Sequence, residues 1–383
     1  MLDGQTSSSG QYFIGLMSGT SVDSVDAVLA RFPDDGVPEI VARYGLAPPQ
    51  RLRDQLLALS RADTQMTLAE FGALDQAVAS WFANAALALI DQSQVDPGDI
   101  VAIGSHGQTI WHAPDDAAPF SLQIGSASHI AARTGIAVVA DFRNSDMAVG
   151  GQGAPLVCAF HRAVFARPNQ ATAVVNIGGI ANITFLPVAA AHNPMAVTGF
   201  DSGPGNGLMD AWISHTLAYS LDANGRWAAT GCVQPELLAR LLDDQYFHRA
   251  PPKSTGREYF GLGWLLGHDV ARFEPVDVQA TLCELSAQTI AEAIQEHGSS
   301  DERVLLCGGG VYNTQLCKRL TSHLPGRHID TTADSGVDPD WVEAMAFAWL
   351  AKARINHQPG NAPGVTGARQ AVVLGGLYEP PRA

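Results

Sequence analysis

Three times in this chain an apolar, strand-like run drives straight into a glycine-rich polar turn. The first is Phe13-Ile14-Gly15-Leu16-Met17-Ser18-Gly19-Thr20-Ser21-Val22-Asp23-Ser24-Val25-Asp26. The second is Val174-Val175-Asn176-Ile177-Gly178-Gly179-Ile180-Ala181-Asn182, and the third is Val304-Leu305-Leu306-Cys307-Gly308-Gly309-Gly310-Val311-Tyr312-Asn313. One such turn is a common way to end a strand. Three of them, near the N-terminus, in the middle and in the last quarter, point to one nucleotide gripped from two sides. Glycine lets backbone N–H groups come close to phosphate oxygens. A phosphotransferase is therefore the leading reading.

A chain of 383 residues suggests about two domains. The formal charge of −15 argues against a nucleic-acid partner, because phosphate backbones are held by basic patches. It leaves a nucleotide enzyme open, since local amides, a few basic groups and a metal can hold one triphosphate. Cys158, Cys232, Cys283, Cys307 and Cys317 are scattered without a C-x-x-C, so they read as buried free thiols in a reducing compartment. The polar start of the chain lacks an apolar signal core, and no uninterrupted apolar stretch is long enough to cross a bilayer. A cytoplasmic protein without membrane association is expected.

The order of elements repeats. Residues 12–16, 25–31 and 39–45 read as three strands, with the first turn between the first two. Leu52, Leu56, Leu57 and Leu59 share a helical face. Phe71, Leu74, Val78, Trp81, Phe82, Ala85 and Leu89 repeat at helical spacing over 68–90. Strands follow at 100–104, 121–124 and 137–140, with a short helix over 127–134. Gly150-Gly151-Gln152-Gly153-Ala154-Pro155 is a break by composition. We place a domain boundary near it, giving 11–145 and 146–366, with the tail 367–383 expected to rejoin the first domain. The second half again opens strand–turn–strand (173–186) and adds a strand at 196–200. Helices are expected at 206–220, 235–243 and 277–297, a strand at 303–307, a helix around Leu316 and another at 341–354.

The first turn packs Ser18, Gly19, Thr20, Ser21 and Asp23 into one segment. Hydroxyls can donate to phosphate oxygens, and the Asp23 carboxylate can hold Mg²⁺ directly or through water. An ordinary hairpin turn explains the glycine but not the clustered hydroxyls. The turn at 176–182 can equally be a bulged hairpin, and Gly308-Gly309-Gly310 a tight strand-to-helix connection. In Gly199-Phe200-Asp201-Ser202-Gly203-Pro204-Gly205-Asn206, Asp201 ends a strand and is well placed as a general base. It can also simply start the following helix. His106 ends a strand and suits a polar substrate contact, whereas His112 reads as structural. Arg133, Arg143 and Arg162 surround the glycine break. Any one could pair with a substrate carboxylate, although a surface ion pair is the commoner role. Pro252-Lys253-Ser254-Thr255-Gly256-Arg257-Glu258 is too dense in polar groups for a linker. Lys253 and Arg257 can line a site or be solvated.

Taken together, these segments closely resemble the anhydro-N-acetylmuramic acid kinase family. The matching pieces are the 15–21 turn, Ser105-His106-Gly107-Gln108-Thr109, Val139-Ala140-Asp141-Phe142-Arg143, the 150–156 loop, the 176–182 turn, Asp201 to Asn206, Pro252 to Glu258, and Cys307 to Gly310. They run in order over nearly the whole chain beyond the first ten residues. Two positions depart from the family pattern. Ser24 stands where a glycine is usual, so its backbone should avoid a glycine-only conformation. Ser126 stands where an acid is usual.

The resemblance implies an α/β, two-lobed actin-like ATPase fold, built from duplicated ribonuclease H-like domains with ATP in the interdomain cleft. It implies that ATP phosphorylates O6 of 1,6-anhydro-N-acetylmuramic acid while water opens the anhydro ring, in cell-wall recycling. By position it makes Asp201 the catalytic base, which also contacts substrate. It makes Gly19, Thr20, Ser21, Val22, Asp23, Ser24, Val25 and Asp26 the ATP-phosphate loop. Asn176, Gly178, Gly179, Asn182, Gly308, Gly309 and Gly310 would complete the nucleotide site. It places His106, Arg143 and Glu343 around the sugar, suggests Asp23 for Mg²⁺, and favours a homodimer. A catalytically silent, ATP-gated sugar-binding module of the same fold is the alternative; plain glycoside hydrolysis would leave the glycine turns unused.

Overall fold

The computed structural model describes residues 10–34, 36–59, 65–256 and 258–381. Arg257 therefore lies outside the described residues. The chain divides into two compact units, one formed by residues up to Phe160 together with those from Trp341, the other by His161–Asp340.

The first unit opens with three antiparallel strands, β1 (Gly10–Met17), β2 (Val25–Pro33) and β3 (Glu39–Leu46). Two helices follow, α1 (Gln50–Leu59) and α2 (Leu68–Ser93). Thr67 starts α2 through a reciprocal cap. Its hydroxyl accepts from the Glu70 N–H at 3.2 Å, and the Glu70 carboxylate accepts from the Thr67 N–H at 2.8 Å. Gln94 ends α2 in a left-handed conformation, just before the Asp96-Pro97-Gly98 break. At 26 residues α2 is long and apolar enough to cross a membrane. Here, however, Leu74, Val78, Phe82, Ala86 and Leu89 bury one face in the core with Ile14, Leu16, Leu29 and Ile103. Each large apolar side chain buried this way contributes about 1.5–3 kcal/mol.

The chain continues through β4 (Ile100–Ser105), a hairpin of β5 (Gln108–Ala113) and β6 (Phe120–Ile124), α3 (Ala127–Thr134), β7 (Val138–Ala140) and α4 (Phe142–Met147). β4 and β7 join the sheet in parallel. Ser126 caps α3, its hydroxyl accepting from the His129 N–H. Serine and aspartate serve equally well at this position, which gives Ser126 a local role in place of the usual acid. Helix α5 (Val157–Phe165) spans the division between the units.

The second unit repeats the plan. Strands β8 (Thr172–Ile177), β9 (Ile180–Leu186) and β10 (Thr198–Pro204) are antiparallel. Then come α6 (Gly207–Leu217), α7 (Pro235–Leu242), α8 (Leu262–Leu266), α9 (Pro275–His297), β11 (Arg303–Cys307), α10 (Thr314–His323) and β12 (Ile329–Thr331). β11 lies parallel to β8 and to β12. Helix α9 is buried around most of its girth and organises the unit's core, with Leu282, Leu285, Ile290 and Ile294 packed among Val175, Ile183, Phe200 and Leu306.

The tail returns to the first unit as α11 (Val342–Ile355), α12 (Pro363–Thr366) and β13 (Gly376–Tyr378). β13 pairs antiparallel with β7. The first sheet therefore reads β13-β7-β4-β1-β2-β3, and the second β10-β9-β8-β11-β12. Leaving β13 aside, both place three antiparallel strands beside two parallel ones in the same order.

The expected division at 145/146 and 366/367 differs from the observed one, for two physical reasons. α11 packs on β1 and β4 so closely that a Cβ at Gly15 would overlap the Ala344 carbonyl, and one at Gly104 the Phe347 carbonyl. The 146–153 segment is held to the tail by buried Asp146. Its carboxylate accepts from the Gly153 N–H (2.9 Å), Asn361 Nδ2 (2.8 Å) and Thr366 Oγ1 (2.9 Å). The expected strand at 371–376 is also displaced: only Gly376–Tyr378 pairs.

Candidate active site

In the first unit the site residues gather at the C-terminal ends of β1 and β4. Past Met17 the chain turns through Ser18 to Ser24. Val22, 2% exposed, holds a φ of +52° and donates its N–H to the Gly19 carbonyl at 3.2 Å. A β-branched residue in the left-handed region is costly, on the order of 1–3 kcal/mol, and persists only where its surroundings enforce it. Arg53 is part of that enforcement. Its Nε donates to the Val22 carbonyl at 3.2 Å, and a terminal nitrogen to Asp23 at 3.0 Å. Ser24 has no positive φ, as expected, and its hydroxyl donates to Asp26 at 2.6 Å. Thr20 is exposed and Ser21 partly so.

His106 is 5% exposed and stacks on Phe347 of α11, ring centroids 4.7 Å apart. Arg143 of α4 donates to His106 Nε2 from two nitrogens, at 2.8 and 3.2 Å, and to the Gly153 carbonyl at 2.8 Å. Since Nε2 accepts, the imidazole is neutral with its proton on Nδ1. Burial, and then the Arg143 charge, push the imidazole well below its usual pKa. The Ser18 and Gly107 backbone near the ring opposes this without making a hydrogen bond to Nδ1. Burial likewise lowers Arg143 to about 10, and Glu343 offsets part of that shift.

Glu343, in the first turn of α11, is densely surrounded yet keeps solvent access, so a ligand can reach it. Its carboxyl is raised by those surroundings, with Arg143 opposing and Asp26 adding to the shift. His106, Arg143, Glu343 and Asp26 thus form one electrostatic group. A cavity of about 400 Å³ borders it, lined by Ser105, His106, Gln123, Asp141 and Asn144 among others.

In the second unit the other two glycine turns come together. Asn176 faces Asn182 across β8 and β9, Asn182 faces Asp201 on β10, and Cys307 lies beside Asn176. Gly308 has a φ of +77°, and a Cβ there would overlap the Asn176 side chain and the Ile177 carbonyl, a place only glycine fits. The loop after Asp201 is laced to the middle turn. The N–H groups of Gly205 and Gly207 donate to the Gly179 carbonyl at 3.0 Å, and that of Asn206 to Gly178 at 2.8 Å. Asn182 Oδ1 is buried without a hydrogen-bond partner.

Asp201 is held from several directions. Its N–H donates to the Lys253 carbonyl (3.1 Å), its carbonyl accepts from the Tyr246 hydroxyl (2.7 Å), and its carboxylate accepts from the Thr255 N–H (2.9 Å). Burial pushes its carboxyl up to about 6. The Thr255 N–H opposes the shift and the Glu258 charge adds to it. Lys253 is docked rather than solvated: its ammonium donates to the Tyr246 and Phe247 carbonyls and sits 5.0 Å from the Tyr246 ring.

Other sequence candidates fall elsewhere. His112 bonds Ser121 at 2.9 Å, a structural role. Arg133 is exposed and donates to the Ser80 carbonyl, and Arg162 lies in α5. Among the described residues no three His, Cys, Asp or Glu side chains cluster as metal ligands. Tyr246 and Gln108 carried no signal as single residues; only their place in the fold makes them stand out.

The family profile for anhydro-N-acetylmuramic acid kinase matches residues 11–380. Among curated relatives, the anhydro-N-acetylmuramic acid kinase of Pasteurella multocida is 48% identical over 372 residues, covering 96% of each chain. That of Coxiella burnetii is 46% identical over 368 residues, covering 96% of this chain and 97% of its own. Among solved structures, the (R)-2-hydroxyglutaryl-CoA dehydratase component A of Acidaminococcus fermentans is 14% identical with a TM-score of 0.48, over 90% of this chain and 99% of its own, a likeness too low to bear on function. With full-length relatives near half identity and a family match from end to end, this chain belongs to the anhydro-N-acetylmuramic acid kinase family.

Proposed function

We propose that the protein is an ATP-dependent kinase converting 1,6-anhydro-N-acetylmuramic acid and water to N-acetylmuramic acid 6-phosphate and ADP, with Asp201 as the base. The bicyclic sugar has no free O6 hydroxyl. Water must therefore add at C1 as the C1–O6 bond breaks, and O6 must take the γ-phosphoryl group as the bond to ADP breaks. One proton leaves the water. Asp201 carries this reading: a carboxyl near 6 is ionised at neutral pH yet basic enough to accept that proton.

Supporting assignments follow the two groups of residues. The 19–26 loop, strained at Val22, presents amides and the Thr20 and Ser21 hydroxyls to phosphate oxygens. The joined turns at 176–182 and 308–310 contact the rest of the nucleotide. Arg143, fixed by His106 and Gly153, pairs with the lactyl carboxylate, while Glu343 and His106 orient the sugar. Mg²⁺ usually takes one or two carboxylates and completes its shell with water and phosphate oxygens. Asp23, 68% exposed at its side chain and paired with Arg53, would supply one such carboxylate. When bound, the ion would offset charge on the β- and γ-phosphates. A homodimer is part of the same reading and is checked by light scattering.

The deciding experiment runs the reaction in ¹⁸O-water with ³¹P NMR. Label at C1 of a sugar 6-phosphate is expected. Label in phosphate, or ADP without sugar phosphate, overturns the reading.

A further inference from the structure

Four buried polar atoms at the ends of β1 and β4 have no hydrogen-bond partner: Ser18 Oγ, Ser105 Oγ, His106 Nδ1 and Gln108 Oε1. Their residues are at most 5% exposed. Leaving one such atom unpaired costs about 1–3 kcal/mol, so four in one place, beside the cavity that Ser105 and His106 line, mark unmet hydrogen bonding that a polar ligand can satisfy.

Gln108 is the most informative of the four. It is 1% exposed and opens β5 immediately after Gly107, whose φ of +71° turns the chain where a Cβ would meet the Ile124 carbonyl. Its amide orientation is fixed by chemistry. Nε2 has two carbonyl acceptors, Gly19 at 3.2 Å and Thr109 at 3.3 Å, so the NH₂ group must sit there and Oε1 must point the other way. Oε1 can only accept. An ionised phosphate has no proton to give it and is excluded as its partner. A hydroxyl or an amide N–H fits. The anhydro-sugar carries both kinds, its one free ring hydroxyl and its acetamido N–H.

We infer that Gln108 is a substrate-binding residue that accepts a hydrogen bond from the sugar through Oε1 while holding the Gly19 carbonyl of the phosphate loop through Nε2. One planar amide then joins sugar recognition to the loop assigned to ATP. A sugar that fixes Oε1 also fixes Nε2, and with it the Gly19 carbonyl that closes the Val22 turn. Sugar binding should therefore tighten ATP binding, and the reverse by thermodynamic reciprocity. This inference rests on the sugar-kinase reading.

The test uses the full chain and two variants, Gln108→Met, which keeps volume without the amide, and Gln108→Asn, which keeps the amide but shortens its reach. Calorimetry measures binding of 1,6-anhydro-N-acetylmuramic acid and of a non-hydrolysable ATP analogue, each alone and with the other present. For wild type the sugar should tighten nucleotide binding. For either folded variant sugar affinity should fall about ten- to a hundredfold, nucleotide affinity without sugar should fall by less than that because only the Gly19 carbonyl contact is lost, and the mutual tightening should shrink toward unity. A folded variant with unchanged sugar affinity, or with intact mutual tightening, overturns the inference. A merely structural role would lower melting temperature and leave the tightening in place. Wild type that binds no anhydro-sugar would instead sink the sugar-kinase reading itself.

Discussion

Tyr246 donates its phenolic hydrogen bond to the main-chain oxygen of Asp201 at 2.7 Å, from a residue only 1% exposed. The ring is fixed in turn by edge contacts with Phe260 and Phe247 and by the Lys253 ammonium. The proposed base is thus positioned by an aromatic cluster that has no chemistry of its own. Tyr246→Phe should lower stability by about 1 kcal/mol and kcat about tenfold, with ATP affinity unchanged. Urea denaturation and steady-state kinetics measure these, and an unchanged kcat would remove Tyr246 from the positioning role.

Asp201 should set the acid limb of activity. With its carboxyl near 6, kcat/KM should rise with pH and level off above about 7. The same shift acts oppositely on stability. A carboxyl raised in the folded state favours folding below its unfolded pKa of 3.8, and that contribution is lost as pH climbs through about 6. At pH 8 the ionised group costs up to about 3 kcal/mol. Asp201→Asn should therefore abolish turnover while melting at or above the wild-type temperature at pH 8. That advantage should disappear below pH 4. A variant that melts lower at pH 8 would contradict the burial argument.

Arg143→Lys keeps the charge but cannot reproduce a guanidinium that reaches His106 and Gly153 at once. KM for the sugar should rise about ten- to a hundredfold while KM for ATP changes little. Equal changes in both would show that Arg143 holds the unit together rather than the sugar.

Glycines 104 and 309 make a matched pair. A Cβ at Gly104 would overlap the Phe347 carbonyl, whereas one at Gly309 meets nothing within 4 Å. Gly104→Ala should cost about 3 kcal/mol. Gly309→Ala should stay within about 0.5 kcal/mol of wild type and yet raise KM for ATP severalfold if the backbone lies against the nucleotide. Unchanged KM for ATP in a stable Gly309→Ala protein would take that glycine out of the nucleotide site.

The strands β1, β2, β8, β9 and β11, and the long helices α2 and α9, were legible from periodicity, because each buries one face or is buried throughout. Asp201 and the glycine turns stood out because a polar or flexible residue at the end of an apolar run has few structural uses. The short strand β12, with three half-buried residues, has no period to detect. Helix α4 was hidden because it begins at Asp141 in a left-handed conformation, without a side-chain cap. The domain boundary was misplaced at Asp146, whose partners Asn361 and Thr366 lie more than two hundred residues away. Gln108 stood out only as part of the 105–109 segment, without a role of its own, since its partner Gly19 is 89 residues distant.

The seating of α11 against Gly15 and Gly104 has a consequence for how the molecule is made. Unit 161–340 is continuous in sequence and can complete its core as soon as it leaves the ribosome. The unit begun first has to wait. Its sheet lacks the helix that fills its glycine notches, and the Glu343 that helix carries, until translation has passed residue 355. Nascent chains stalled before that point should hold a folded second unit alongside a protease-sensitive first one, so the few seconds in which residues 341–383 are made, at roughly 5–20 residues per second, decide whether the proposed sugar site can form.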